Sequence, residues 1–142
     1  MSRRSFPLSK VYGLLEPGPV LLLTTALKAT RQCVLNIPTV ELASQLVACG
    51  NTSGQHLDKF KAFGLTPEPA AQVAAPLISE CYANLECRVI DTRLVNRYNF
   101  FVLEVLKAWI DPARKEIRTL HHRGRGVFMV AGDTIKLPSK MK

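Results

Sequence analysis

The chain has 142 residues, of which 47% are hydrophobic, and it carries a formal net charge of +8 at pH 7. This length and composition predict a single domain, residues 1–142, with a packed core. The positive charge is spread over both halves, which excludes a basic tail and suits phosphate-bearing small molecules as well as nucleic acid.

Membrane targeting and a cysteine-based metal site are not indicated. No apolar run approaches membrane-spanning length, and Val20–Leu23 is too short and too interrupted by proline for a signal peptide. Scattered cysteines without Cys-x-x-Cys spacing predict buried, reduced thiols and a cytoplasmic location. They are Cys33, Cys49, Cys81 and Cys87. A metal site that adds His121 and His122 is disfavoured, because adjacent side chains rarely aim at one ion.

The first part of the chain predicts an arm followed by short strands. Residues 1–10 are polar and basic and predict an arm, while Lys10–Leu15 allows one turn of helix and Ala26–Gln32 favours helix. Apolar runs bounded by turn residues predict buried strands at Val20–Thr25 and Cys33–Ile37. A helix should then begin with Thr39 as its N-cap.

The segment from Cys49 to Pro67 is the most particular part of the sequence. Gly50 can take the left-handed position at the helix end, and a polar loop, residues 51–56, leads to a helix at Leu57–Phe63. Backbone N–H groups, hydroxyls, the positive helix start and Lys59 suit a polar or anionic ligand. Composition alone favours the other interpretation, an ordinary surface loop between two helices.

The second half predicts antiparallel sheet. The Ala/Pro-rich stretch up to Pro76 should run extended over the surface. A hairpin is expected from Tyr82–Leu94 and Tyr98–Ile110, with Leu85, Cys87 and Val89 on its buried face and Glu86, Arg88 and Ile90 on the other. Asp111-Pro112 ends it, and short strands follow at Val127–Val130 and Thr134–Lys136. These elements favour a small β-barrel with short helices at its ends, with Trp109 in the core or an interface.

Several stretches, in order along nearly the whole chain, resemble the flavin reductase-like, FMN-binding split-barrel family, and its flavoredoxin-like branch in particular. The most specific is Ser53-Gly-Gln-His-Leu-Asp-Lys-Phe60 followed by Gly64-Leu-Thr-Pro67. The others are Leu15-Glu-Pro-Gly-Pro-Val-Leu-Leu-Leu-Thr-Thr25, Val34-Leu-Asn-Ile-Pro-Thr39, Pro76-Leu-Ile78, Asn84-Leu-Glu-Cys-Arg88 and Phe128-Met-Val-Ala-Gly132. The resemblance implies a mainly β split barrel with short helices.

One large departure from the family pattern occurs near residues 26–28. The family has two or three further strands there, which supply much of the FMN cradle, whereas here Thr25 runs almost directly into a stretch that resembles the chain far downstream. Either the protein lacks these strands or the sequence omits an internal segment. A barrel without them would expose long unpaired edges, which favours an omitted segment and an incomplete barrel.

The resemblance implies FMN bound at the interface of a homodimer, with hydride arriving from NADH or NADPH. By position in the matching stretches, it implies polar contacts from Ser53, Gly54 and Gln55, a cation from Lys59, and backbone groups from Asn36 and Ile37. Arg123 is a further candidate for phosphate or for the flavin of the opposite subunit. No catalytic residue is assigned, and no metal ligand.

Two other functions remain open at this point. The first is an electron carrier that keeps its FMN and exchanges electrons with a protein partner. The second is a small nucleic-acid-binding barrel, which would need exposed aromatic residues interleaved with Lys and Arg. Phe100, Phe101 and Phe128 lie in apolar runs instead. The stretch Phe100–Val105 and the region of Trp109 carry enough apolar surface to predict a homodimer.

Overall fold

A computed structural model describes residues 18–25, 30–54 and 57–138. The predicted arm at residues 1–10, the helical turn at Lys10–Leu15 and the expected break near residues 26–28 lie outside the described residues, as does Gln55. Of the helix favoured at Ala26–Gln32, residues 30–32 are described and are not helical.

Strands form most of the described structure. In chain order they are β1 (Leu22–Thr25), β2 (Gln32–Ile37), β3 (Pro67–Glu68), β4 (Leu77–Ile78), β5 (Ala83–Asp91), β6 (Val102–Ile110), β7 (Leu120–Gly124) and β8 (Val127–Val130). Three short helices accompany them: α1 (Ala43–Gly50), α2 (Lys59–Phe63) and α3 (Val95–Tyr98). The prediction of a mainly β fold with short helices is confirmed.

The strands form a four-stranded antiparallel sheet in the order β1-β2-β5-β6, with β3–β4 and β7–β8 as separate pairs. Within the described ranges the sheet does not close into a barrel. The predicted hairpin is present but shorter, because α3 replaces the expected turn at residues 95–97. The predicted strand at Thr134–Lys136 is wrong, since residues 131–138 form no strand.

The helix boundaries differ from the predictions in two details. Thr39 does precede the helical region, which starts with a 3-10 turn at Val40–Leu42, but its hydroxyl bonds the Glu41 carboxylate and caps no backbone N–H. The predicted left-handed Gly50 is wrong. Gly50 is the last residue of α1, and Asn51 follows it as a C-cap of right-handed conformation.

The stretch after Pro67 was expected to run over the surface, and the structure corrects this in part. Val73 and Ala75 are buried, and together with Val34 and Leu77 they form one of two core clusters. A second cluster joins β1 to the helices, and it comprises Leu22, Leu42, Leu65, Ile78 and Cys81.

A buried carboxylate explains why this stretch folds inward. Glu86, expected on the polar face of β5, is fully buried. Its carboxylate accepts hydrogen bonds from the backbone N–H groups of Ala71 and Gln72 and, at 2.7 Å, from Nε1 of Trp109. The prediction was wrong for Glu86, because three donors supplied from distant segments let a charged side chain leave water. It holds for Arg88 and Ile90, which are exposed, and for Cys87, which is buried.

The same contacts set the pKa of Glu86. Burial alone would raise this pKa, but the hydrogen bonds from Trp109 and from the backbone of residues 71–73 outweigh burial, so the pKa lies below its ordinary value. A carboxyl group with a lowered folded-state pKa stabilises the fold fully above its unfolded pKa of about 4.3. That contribution is lost as the pH falls through the lower folded value.

We expect the Glu86→Gln substitution to lower the free energy of unfolding at pH 7 by about 1.5–3 kcal/mol, because it removes a charged acceptor and places an NH₂ group against N–H donors. The variant should also lose stability less steeply than the wild type between about pH 5 and pH 3. Urea denaturation at several pH values measures both effects. Glu104→Gln is the control, since Glu104 forms an exposed pair with Arg88 and should change stability by less than about 1 kcal/mol. Equal losses in the two variants would contradict the assignment.

Candidate functional site

A cavity of about 890 Å³ lies between β1, the end of α1, the start of α2 and the β7–β8 hairpin. This volume is within the range of about 300–1,000 Å³ that small-molecule and cofactor sites occupy. Aliphatic and aromatic side chains form much of its wall, including those of Leu21, Leu46, Phe60 and Phe128.

Strand β1 forms one wall of this cavity along its whole length. Among the described residues it pairs with β2 alone, so its outer edge carries no strand. Leu22 and Thr24 point inward and are buried, and the Thr24 hydroxyl donates a 2.6 Å hydrogen bond to the carbonyl of Pro76. Leu23 points the other way and is 59% exposed. Strand β1 is thus held in place by its buried side chains, while one of its two edges pairs with no other strand among the described residues.

Lys59 lies in the cavity wall, as does Gly54, and both were predicted as site residues. The Lys59 ammonium donates a 2.6 Å hydrogen bond to the carbonyl of Cys49, in the last turn of α1. A cation is favourable at a helix C-terminus. An ammonium has three donor hydrogens, so this contact leaves two for other acceptors.

The start of α2 does not offer the positive end that the sequence suggested. Asp58 is the N-cap of α2, and its carboxylate accepts hydrogen bonds from the N–H groups of Phe60 and Lys61. A negative side chain therefore already occupies the N–H groups proposed for an anion. Lys59 is consequently the positive group that α2 contributes to the cavity wall.

The other residues predicted in the loop are only partly brought to the cavity. Ser53 is exposed and lies next to Gly54, outside the cavity wall. A Cβ atom at Gly54 would lie 3.8 Å from Cε of Lys59, which is ordinary van der Waals contact, so glycine is not sterically required there.

Asn36 and Ile37 lie at the end of β2, away from the cavity wall. The Asn36 side chain is fully buried and donates to the carbonyl of Leu22 at 2.9 Å. Its Oδ1 accepts hydrogen bonds from the Ile78 backbone at 3.0 Å and from Nδ2 of Asn84 at 2.8 Å. This amide joins β1, β2, β4 and β5, so its polar atoms are committed to the fold.

The β7–β8 hairpin contributes residues that the sequence analysis did not assign to the site. His122 and Phe128 line the cavity, with their ring centroids 4.9 Å apart. Arg123, which was predicted, is exposed and lies outside the cavity wall. His122 lies directly opposite Phe128 in the β7–β8 ladder, which brings both rings to the cavity. The register of β7 against β8 also shifts between His122 and Gly124, so Arg123 has no partner residue in the β7–β8 ladder.

Cys49 and Asn51, at the end of α1, also line the cavity and were not predicted as site residues. Burial raises the pKa of the Cys49 thiol, and the charge of Lys59 offsets this only in part. The thiol therefore stays protonated at neutral pH and acts as an apolar part of the wall. The only sequence signal for Cys49 and Asn51 was that both lie at the predicted end of a helix, next to the polar loop.

The chain belongs to the flavin reductase like domain family, whose model matches residues 19–129. This match spans most of the chain and confirms the family resemblance found in the sequence. A relative from Archaeoglobus fulgidus, an uncharacterized protein, is 35% identical over 90 residues, which cover 63% of this chain and 51% of the relative. The chain spans about half the length of the curated relatives it matches.

Solved structures share the fold. An FMN-binding domain of a flavin reductases-like enzyme from Shewanella baltica superposes with a TM-score of 0.74 at 21% identity, covering 94% of this chain and 96% of that one. Flavoredoxin of Desulfovibrio vulgaris gives a TM-score of 0.65 at 19% identity, covering 83% and 73%. In the described part of the chain, no helix has the length and apolar character needed to span a membrane.

We expect Asn36→Ala to lower the free energy of unfolding by about 3 kcal/mol or more, because it leaves buried groups of Leu22, Ile78 and Asn84 without their partner. Asn51→Ala, at an exposed position in the cavity wall, should stay within about 0.5 kcal/mol of the wild type. Urea denaturation without added ligand measures both variants. Wild-type stability for Asn36→Ala would show that its amide network does not support the fold.

Proposed function

We propose that the chain is an FMN-binding flavoprotein and that its cavity takes the flavin. The observation that carries this proposal is a cavity of about 890 Å³ in a flavin reductase-like fold, with an apolar wall and one lysine ammonium in it. Bound FMN would accept hydride from NADH or NADPH and pass electrons on, which makes the chain a flavin oxidoreductase. The chain's own residues bind, orient and shield the cofactor.

Each part of the cavity wall has a role in this proposal. The apolar side chains of β1 and Phe60 exclude water from the ring system, as expected of a cofactor site. Lys59 supplies positive charge for the phosphate or for the reduced ring, with Gly54 beside it. Ser53 and Gln55, its neighbours in sequence, supply polar groups in the same proposal. Asn36 and Ile37 act by holding β1 and β2 in place. Arg123, which is exposed and lies outside the cavity wall, serves the flavin of a second subunit.

A second candidate function is an electron carrier with permanently bound FMN and a protein partner. The structural likeness to flavoredoxin of Desulfovibrio vulgaris favours it. The two functions differ in their use of nicotinamide. A reductase bleaches its flavin when NADH or NADPH is added without other proteins, whereas a carrier requires its partner. Anaerobic absorbance spectra with each nucleotide separate these cases.

We expect Lys59→Ala to weaken FMN binding by roughly ten- to a hundredfold, since it removes a charge-assisted contact worth about 1.5–3 kcal/mol. Lys61→Ala is the matched control: Lys61 is on the same helix, but its side chain is 89% exposed and lies outside the cavity wall. Quenching of FMN fluorescence gives the Kd of both variants. Equal affinities would remove Lys59 from the site, and a wild-type protein that leaves FMN fluorescence unchanged at micromolar concentrations would overturn the proposal.

We also propose a cytoplasmic homodimer that associates through the β6 apolar surface. This surface consists of exposed side chains on and just before β6: Phe100, Phe101, Val102, Val105, Leu106, Trp109 and Ile110. These side chains lie on both faces of β6, which is an edge strand of the four-stranded sheet, and exposed apolar area at such an edge marks an interaction site. Free cysteines throughout the described residues are in keeping with a reducing compartment.

The Val105→Glu substitution should convert the dimer to a monomer without unfolding it, because Val105 is 52% exposed and a charge there is costly only inside an interface. Ile135→Glu is the control, since Ile135 is 75% exposed and lies outside the β6 apolar surface. Sedimentation velocity at tens of micromolar reports the association state. A monomeric wild type would reject the homodimer, and a dimeric Val105→Glu variant would move the interface elsewhere.

A further inference from the structure

Two of the four cysteines face each other across the central strands of the sheet. Cys33 of β2 lies directly opposite Cys87 of β5 in the antiparallel ladder. Both side chains are buried, at 5% and 0% exposure, and as directly opposed residues of the ladder they project from the same face of the sheet. Cys49 and Cys81 lie on α1 and after β4, outside this ladder.

The ladder position fits the geometry of a disulfide bond. Directly opposed residues in antiparallel strands have Cα atoms about 4.5–5.5 Å apart. Disulfides span Cα separations of about 4.4–6.8 Å. Two cysteines directly opposed in the ladder therefore need only a small closing movement of the strands to be joined.

We propose that Cys33 and Cys87 form a reversible cross-strand dithiol–disulfide pair, an oxidative modification site that locks β2 to β5. The oxidant is a low-molecular-weight disulfide of the glutathione type. The proposal does not depend on flavin binding, because neither cysteine lines the cavity.

Access to the pair comes from its place near the end of the ladder. Beyond it lie the pair Gln32 and Arg88 and one hydrogen bond, from the Val89 N–H to the carbonyl of Arg31, whose φ is positive at 51°. Strand ends open at lower free energy than strand centres. On the other side of β5, the register against β6 shifts between Glu86 and Cys87. This bulge interrupts the ladder with β6 beside Cys87, so β5 is held less regularly there.

The chemistry is thiol–disulfide exchange in two steps. In the first step, the thiolate of one cysteine attacks a sulfur of the oxidant, which forms a mixed disulfide and releases one reduced thiol. The second cysteine then attacks the protein sulfur of that mixed disulfide, forms the Cys33–Cys87 bond and releases the second thiol. In total, the two cysteines lose two electrons and two protons, and the oxidant is reduced to two thiols.

Burial sets the rate of this reaction. Desolvation raises the pKa of both thiols, so the thiolate that attacks is scarce in the closed ladder. We therefore expect oxidation to be slow and to depend on opening of the ladder end. Once formed, the bond encloses the chain from β2 to β5, which includes α1, α2 and part of the cavity wall.

The test is to incubate the full reduced chain with oxidised glutathione in native buffer, then alkylate the remaining thiols after denaturation and map the peptides. We expect two of the four thiols to be protected and a peptide linking Cys33 to Cys87, both reversed by dithiothreitol. The oxidised protein should also melt about 5 °C or more above the reduced one, because the bond closes a long loop.

Variants identify the pair. Cys33→Ala should keep three alkylatable thiols and show no rise of Tm in oxidant, whereas Cys49→Ser should still form the linked peptide. Cys87→Ala should match Cys33→Ala, and where it does not fold, Cys33→Ala alone carries the comparison. Four alkylatable thiols in the wild type, a linked peptide from another pair, or a link that forms only in urea would each overturn the proposal.

Discussion

The buried amide of Asn36 is the contact on which the arrangement of the sheet depends. It donates to a carbonyl of β1 and accepts from the backbone of β4 and the side chain of Asn84 on β5. A buried amide is stable only when its polar atoms are satisfied, so these strands can meet in one arrangement only. Asn36 therefore also fixes one wall of the cavity, because β1 forms this wall and its Leu22 carbonyl accepts a hydrogen bond from Asn36.

The local pattern of apolar and polar residues predicted where the strands lie better than it predicted which of their side chains are buried. Val20–Thr25 and Cys33–Ile37 appear almost as expected, since short apolar runs between turn residues have few other solutions. Glu86 was misplaced because its environment is made of residues 71–73 and Trp109, which no local window contains. A charge can be buried when distant segments supply donors, and the Ala/Pro-rich stretch is drawn inward for the same reason.

Sequence analysis could predict only those site residues that lie together in one segment of the chain. The loop and helix around Lys59 could be found from the sequence, and Lys59 and Gly54 do line the cavity. The partner of Lys59 is a carbonyl ten residues earlier, and His122 arrives from a hairpin far along the chain. Neither the contact between Lys59 and Cys49 nor the presence of His122 in the cavity wall can be read from the spacing of residues in the sequence. The positive helix start was also suggested by the sequence, but Asp58 caps α2 and so removes the helix start as an anion site.

The register of β2 against β5 links the two faces of the sheet. Residues two apart share a face, so Val34 and Asn36 point toward the core cluster and the amide network while Cys33 points to the opposite face. A slip of one residue would exchange these faces and expose the Asn36 amide to the wrong neighbours. The ladder runs without a bulge from Asn36 opposite Asn84 to Cys33 opposite Cys87. The amide contact that fixes the cavity wall therefore also fixes which two thiols meet.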